Sequence, residues 1–188
     1  KIYDKNNNMF EFNKVIFAVH ADQVLDLIEH PTEKELKLFS KFQYSINSAF
    51  LHSDSSLMPN SKKAWSSWNF LNRSKSNKFT LTYWMNLLQK LSTEKNYFVT
   101  INPYKKPNHI LDETYFEHPI YTVDTMLAQK EIMNIEGLNN TYFCGSYLGH
   151  GFHEDGIQSS AYIAKLLGCD LPWKRDKNFY NRLQINFE

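Results

Sequence analysis

Apolar and polar positions divide the chain into stretches of different texture. Lys1–Asp4 and Met9–Phe12 are short alternating runs on either side of Lys5-Asn6-Asn7-Asn8. Asparagines tolerate left-handed turn conformations, so a hairpin is expected there. Val15–Val19 is continuous and β-rich, the pattern of a strand covered on both faces. A helix is expected after His20-Ala21-Asp22, with Val24, Leu25, Leu27 and Ile28 as its stripe and Pro31 as its stop. Thr32, followed by Glu33 and Glu35, caps a second helix that turns Leu36 and Phe39 to the core.

The texture then changes. Tyr44–Ser53, Ala64–Leu71, Lys78–Met85, Tyr97–Ile101 and Ile110–Phe116 are aromatic and β-branched runs separated by Pro, Asn and Ser clusters. Serial strands at this spacing predict an antiparallel sheet. Helical spacing returns over Asp124–Ile135 through Met126, Leu127, Lys130 and Met133, and Gly137, Asn139 and Asn140 close it off. Thr141–Cys144 reads as a short buried strand, and Ile157–Leu167 as a helix ended by Gly168. The expected fold is α/β, or α+β by content. Its parts are 1–41, 42–120, 121–168 and a tail, 169–188.

Composition narrows the function classes. The 188 residues are 42% hydrophobic and 22% charged, an ordinary globular balance. Twenty-one Lys+Arg against 20 Asp+Glu leave a net charge of +1, so no nucleic-acid partner is expected. No apolar run reaches the ~20 residues of a membrane span, and no signal-peptide pattern opens the chain. Cys144 and Cys169 are too few for a disulfide scaffold and fit a reducing compartment, so a cytoplasmic location is expected. The first residue is Lys and reads as something other than a native start. Aromatic residues, at 15%, predict a large core or an aromatic-lined cavity.

Glycine carries the chemistry. Of 6 glycines, Gly145, Gly149, Gly151 and Gly156 crowd the junction between the last strand and the last helix. The first amides of such a helix lack partners and its dipole is positive there, so the junction attracts an anion or an electron-rich ring edge. The plainer reading is a glycine-rich turn capped by Asp155.

The run Phe143-Cys144-Gly145-Ser146-Tyr147, continued by Gly151-Phe152-His153-Glu154-Asp155-Gly156, resembles the C-terminal flavin motif of amine-oxidase-like FAD-dependent oxidoreductases. It is similar to the bacterial NAD/FAD-binding subgroup, and to the flavoprotein domain fused to plant cyclopropane fatty acid synthases. Other matching stretches are Ala18–Gln23, Leu51–Asp54, Trp65–Asn69, Thr82–Asn86, Thr100–Pro103 and Glu117–Pro119. The resemblance implies a two-part flavoprotein in which 1–41 and 121–168 belong to the FAD-binding part and 42–120 is a substrate or cap sheet. It implies that Asp22, Gly145, Ser146, Asp155, Gly156 and Ile157 lie at the cofactor. The amino-terminal Gly-x-Gly-x-x-Gly fingerprint of the family is absent. The chain therefore looks like a C-terminal half, inactive alone, whose partner is the N-terminal half of the same flavoprotein. Amine oxidases place a Lys near the flavin on a sheet strand, and Tyr44–His52 has none.

Tyr147, His150 and His153 are candidate catalytic groups, the histidines as proton carriers near neutral pH. The alternative for them is a backbone hydrogen bond in a loop. Trp68, Tyr83 and Trp84 are candidates for a substrate wall, against the alternative that they fill the sheet core. Cys144 reads as a packing residue. No metal site is expected, since no distant Cys/His set completes His150 and His153. The expected activity is hydride transfer from a substrate carbon to FAD, with an acyl chain and desaturation first and an amine or polyene second. A fatty-acid-modifying methyltransferase would then be a partner. Arg73–Lys78 reads as a solvated turn, with a peripheral lipid-headgroup contact as the alternative. A different class is a non-catalytic fragment that self-associates as a homodimer and binds no cofactor.

Overall fold

The computed structural model describes residues 1–71, 79–173 and 182–183. The run Arg73–Lys78 and most of the tail lie outside them. In chain order the elements are β1 (Ile2–Tyr3), β2 (Met9–Phe10), β3 (Val15–Phe17), α1 (Val24–Leu27), α2 (Glu33–Phe39) and β4 (Gln43–His52). Next come β5 (Trp68–Leu71), β6 (Thr80–Trp84), α3 (Met85–Leu88), β7 (Phe98–Ile101), β8 (Ile110–Ile120), α4 (Val123–Met133), β9 (Thr141–Phe143) and α5 (His153–Leu166). This is the expected mixture of helices with an antiparallel sheet. The chain forms two compact units, one from Lys1–Tyr44 with Pro119–Glu188, the other from Ser45–His118.

In the first unit β1 and β2 pair antiparallel, and Asn7 takes the left-handed conformation at φ 61° in the turn. Asp4 fixes that turn by accepting from the Asn6 and Asn8 amides. β3 pairs parallel with β9, setting Val15 beside Thr141 and Phe17 beside Phe143. The expectation of a strand covered on both faces is corrected here. β3 is three residues long, has one partner strand, and leaves Ile16 47% exposed. Around β9, Phe143 stacks on Phe17 and tilts against Phe39, while Phe42 meets Tyr147 edge-on. Val24, Leu38, Ala128 and Ile132 complete this core.

Two helix phases also differ from expectation. In α2 the Thr32 cap and Glu35 form a reciprocal capping box, which buries Glu35, Leu38 and Phe39 and leaves Leu36 exposed. In α4 the buried stripe is Thr125, Ala128, Gln129 and Ile132, while Met126 and Leu127 face outward. Thr122 caps this helix, and its capping bonds with Thr125 fix the phase. The helix ends at Met133, two residues before the expected Ile135, and Gly137, at φ +83°, opens the 3-10 turn that leads into β9.

The second unit is built on a sheet of order β5-β6-β7-β4-β8. The predicted strand Ala64–Leu71 is shorter, because Lys62–Ala64 is a 3-10 turn and pairing starts at Trp68. Register places Asn69, Thr82, Thr100 and Phe50 in one cross-strand row, with Trp84, Phe98 and His52 in the next row of that face. The segment before β5 covers this face: Trp65 packs edge-on against Trp84 and Phe98, and Met58 touches Asn69. The face is buried although polar. His52 Nδ1 accepts from the Asp54 amide, so Nε2 carries the hydrogen and donates to Thr100 Oγ1 at 2.7 Å. Thr100 Oγ1 lies 3.0 Å from Thr82 Oγ1, and Asn69 donates to the Thr82 carbonyl. Burial holds the His52 pKa below its ordinary value.

The opposite face carries Leu51, Val99, Tyr83 and Trp68 in one row and Ala49, Ile101, Leu81 and Phe70 in the next. It is apolar, yet Trp68 and Phe70 at its β5 end are 59% and 57% exposed.

Candidate functional site

The glycine cluster is a tightly framed turn between β9 and α5. Cys144 donates its amide to Phe17 O, which holds the end of β9 beside β3. A 3-10 turn over Ser146–Leu148 follows, with the Gly149 and Gly151 amides both donating to Ser146 O. Three buried polar side chains brace it. Gln129 of α4 donates to the Tyr147 and Gly149 carbonyls at 2.8 and 2.7 Å. Ser159 of α5 accepts from the Gly145 amide at 3.0 Å. Asp155, fully buried, accepts from the His150 and Phe152 amides and from Arg182 Nε at 2.6 Å. Burial works against its charge, but the Arg182 guanidinium and these amides outweigh it and hold the carboxyl below its usual range.

The glycines have distinct reasons. A Cβ at Gly145 would lie 2.6 Å from the ring of buried Tyr147, and one at Gly149 would lie 2.5 Å from the Asp155 carboxylate. Gly151 has φ +85° beneath the Tyr121 hydroxyl. Gly156 is different: the nearest atom to its Cβ position is the Ser146 amide nitrogen, 3.8 Å away. That amide has no hydrogen-bond acceptor among the described residues. An open notch thus joins a free amide to the first turn of α5.

The structure places the other sequence-derived candidates as follows. Tyr147 is buried in the core with its hydroxyl unpartnered among the described residues, and burial raises its pKa well above the ordinary value. His150 and His153 are exposed beside the turn, and Ile157 is exposed on α5. Asp155 serves the turn itself. Asp22 follows β3 in a 3-10 turn that Tyr44 secures by accepting from the Ala21 amide, and its Oδ1 is buried without a partner among the described residues. Of the aromatic candidates, Trp68 and Tyr83 are cross-strand neighbours on the apolar sheet face, Trp68 exposed and Tyr83 half-buried. Trp84 lies on the opposite face, against Trp65, and donates its indole N–H to Asn96. No cluster of three or more His, Cys, Asp or Glu able to hold a metal occurs among the described residues.

Sequence reasoning missed several groups. Gln129 and Arg182 brace the turn from distant segments. Glu136 accepts from the Phe143 amide through Oε2, its Oε1 is buried without a partner among the described residues, and burial pushes its pKa up to about 8. In the second unit Asn47 donates to His118 Nδ1 and accepts from Asn102, whose own carbonyl takes the Ser48 amide. A polar residue inside an apolar helical stripe, as at Gln129, was the available signal.

No protein-family model matches the chain, and no curated protein matches it. Among solved structures it is similar to the CLA-producing fatty acid isomerase from P. acnes, at 10% identity and a TM-score of 0.55. The match covers 82% of this chain and 41% of that one, so the chain spans less than half the length of the structure it resembles. At this identity the likeness concerns the fold. Among the described residues, no helix is long and apolar enough to cross a membrane.

Proposed function

We propose that this chain is the C-terminal part of an FAD-dependent, lipid-modifying oxidoreductase of amine-oxidase-like fold. The observation that carries the reading is the notch at Gly156, where the free Ser146 amide stands beside the start of α5. Amides without acceptors at a helix start fit an electron-rich flavin edge. The unpartnered Asp22 Oδ1 adds an acceptor after β3, where open α/β sheets bind nucleotides. These residues fit the group: the Ser146, His153 and Glu154 amides would hold the ring edge, and Asp22 the nucleotide side, while the Asp155 and Gly156 amides already donate to Phe152 O. Bound FAD supplies a two-electron acceptor for a substrate C–H bond.

The chain's own residues do the rest. Gln129, Asp155 and Ser159 keep the turn rigid, so its amides need no reorganisation when charge develops on a bound ring. His150 and His153, both exposed beside the turn, are placed to exchange a proton with a bound substrate. The apolar face bearing Trp68 and Tyr83 is suited to an acyl chain, whose burial against aromatic rings is favourable. The likeness to a fatty acid isomerase supports this choice of substrate over an amine. The missing fingerprint makes a polypeptide bearing Gly-x-Gly-x-x-Gly the expected partner.

The test is a flavin titration followed by fluorescence, using FAD and riboflavin, with the chain alone and coexpressed with such a partner. Saturable binding, weakened at least tenfold by Gly156→Val, is the expected result. Flavin affinity that ignores Gly156→Val refutes the placement, and a colourless complex that takes up neither flavin refutes the cofactor.

A further inference from the structure

Apart from the glycine turn, the first unit contains a cavity of about 470 Å³ between α2 and α4, within the ~300–1,000 Å³ usual for small-molecule sites. Its floor is apolar: Leu38, Ala128 and Ile135 are buried core residues that also line it. Leu127 forms part of one wall and is 56% exposed, because the capped phase of α4 turns it away from the core. The opposite rim is cationic. Lys34 and Lys37 stand one turn apart on α2, and Lys41 follows at the helix end.

The charges are unequal. Lys41 lies 3.9 Å from Asp124, which offsets it. Glu131 adds one further carboxylate to the lining, while neither Lys34 nor Lys37 has an ion-pair partner among the described residues. One positive charge is therefore left over an apolar floor. A nucleotide or free phosphate would leave that floor uncovered, and a neutral apolar ligand would leave the lysines unused.

We propose that this groove binds a long-chain carboxylate, with the head between Lys34 and Lys37 and the chain running over Leu38, Ala128 and Leu127. The site is separate from the glycine turn and from the aromatic sheet face, and the inference does not depend on the flavin reading. It gives the protein a place to hold a free fatty acid. The ammonium groups lie at the surface, so salt weakens head recognition, while apolar burial makes affinity grow with chain length.

The experiment is calorimetric titration of the whole chain with sodium oleate below its micellar concentration, with octanoate and methyl oleate as comparisons. One equivalent of oleate is expected at the groove, bound more tightly than octanoate or the ester, whatever the sheet face takes up. The exposed pair Lys34→Ala/Lys37→Ala should bind about tenfold more weakly, and Lys34→Arg/Lys37→Arg should bind like wild type. Leu127→Ser should weaken oleate while leaving the circular dichroism spectrum unchanged. Equal binding of oleate and its ester, unchanged affinity in the double alanine variant, or non-saturable uptake would each overturn the site. Loss of oleate binding in Trp68→Ala/Phe70→Ala but not in the lysine variant would also overturn it, by placing the acyl chain on the sheet face. A failed flavin titration would leave all of these outcomes intact.

Discussion

Gly156 separates a structural turn from a ligand notch, because the two readings give one substitution opposite signs. Gly156→Ala puts a methyl group in the interior of α5, in ordinary contact with the Ser146 amide nitrogen 3.8 Å away. Alanine exceeds glycine in a helix by about 0.8–1 kcal/mol, reduced somewhat near the first turn. The flavin-free protein should therefore gain about 0.5–1 kcal/mol, a rise of about 1–3 °C in Tm. At Gly145 the same methyl would sit 2.6 Å from a Tyr147 ring pinned in the core against Phe42. Overpacking of that kind costs about 1–3 kcal/mol. Thermal and urea unfolding measure both effects, and flavin titration adds the decisive third number. If the notch receives the ring, Gly156→Ala weakens flavin binding while stabilising the free protein. A destabilised Gly156→Ala would refute the packing argument, and a stabilised variant with unchanged flavin affinity would refute the notch.

Removing the braces of the turn should be costly. Gln129→Leu leaves the Tyr147 and Gly149 carbonyls without this donor, and a loss of about 2–4 kcal/mol in urea unfolding is expected. Asp155→Ala strips acceptors from two amides and Arg182, and should cost about 3 kcal/mol. Two groups give opposite pH dependences. His52 has a depressed folded pKa, so its contribution is full above pH ~6.5 and falls as pH drops below it; Asn at this position should flatten that limb of a Tm-against-pH curve. Glu136, raised to about 8, favours the fold when protonated, so its contribution is full below pH ~4.5 and is lost as pH rises through 8. Glu136→Gln should remove the alkaline loss, and an unchanged alkaline limb would contradict the assignment.

Local signals were legible where one residue type decides the backbone. Thr32 before Glu35 and Asn7 in the hairpin each act within a few residues, and α2 starts and the hairpin turns where they predict; α4 ends at Met133, short of the expected Ile135. The antiparallel sheet was legible for the same reason, as alternation is local. Helix phase was not. α2 has seven residues, too few for periodicity to choose between Leu36 and Leu38, and the capping box decides it. α4 carries apolar residues on two faces, so Met126 and Leu127 looked as fit for the core as Ala128 and Ile132. The frame of the turn was beyond local reading: Arg182 reaches Asp155 across 27 positions and Gln129 reaches Gly149 across 20. Partners that distant leave no spacing to detect.

The sheet of the second unit has an apolar edge at β5 that folding alone does not favour leaving open. A sheet serving only stability buries its apolar face and solvates its polar one. Here the Thr82, Thr100, His52 and Asn69 face is buried, and the face with Trp68 and Phe70 is partly in water. The buried side is tolerable because its groups satisfy one another; the Asp54 amide fixes the His52 tautomer and the hydroxyls complete the row. The exposed side has less compensation: Phe70 stacks on Phe79 with centroids 5.9 Å apart, yet Trp68 and Phe70 stay 59% and 57% exposed and forgo roughly 1–2 kcal/mol each. On the reading proposed above, this open surface receives the substrate, and a flat aromatic row suits a long apolar chain better than a small charged amine. Trp68→Ala with Phe70→Ala should therefore leave thermal stability nearly unchanged while abolishing acyl-chain binding to this face. A large fall in Tm would instead assign those rings to the core and remove the reason for reading the sheet as a substrate wall.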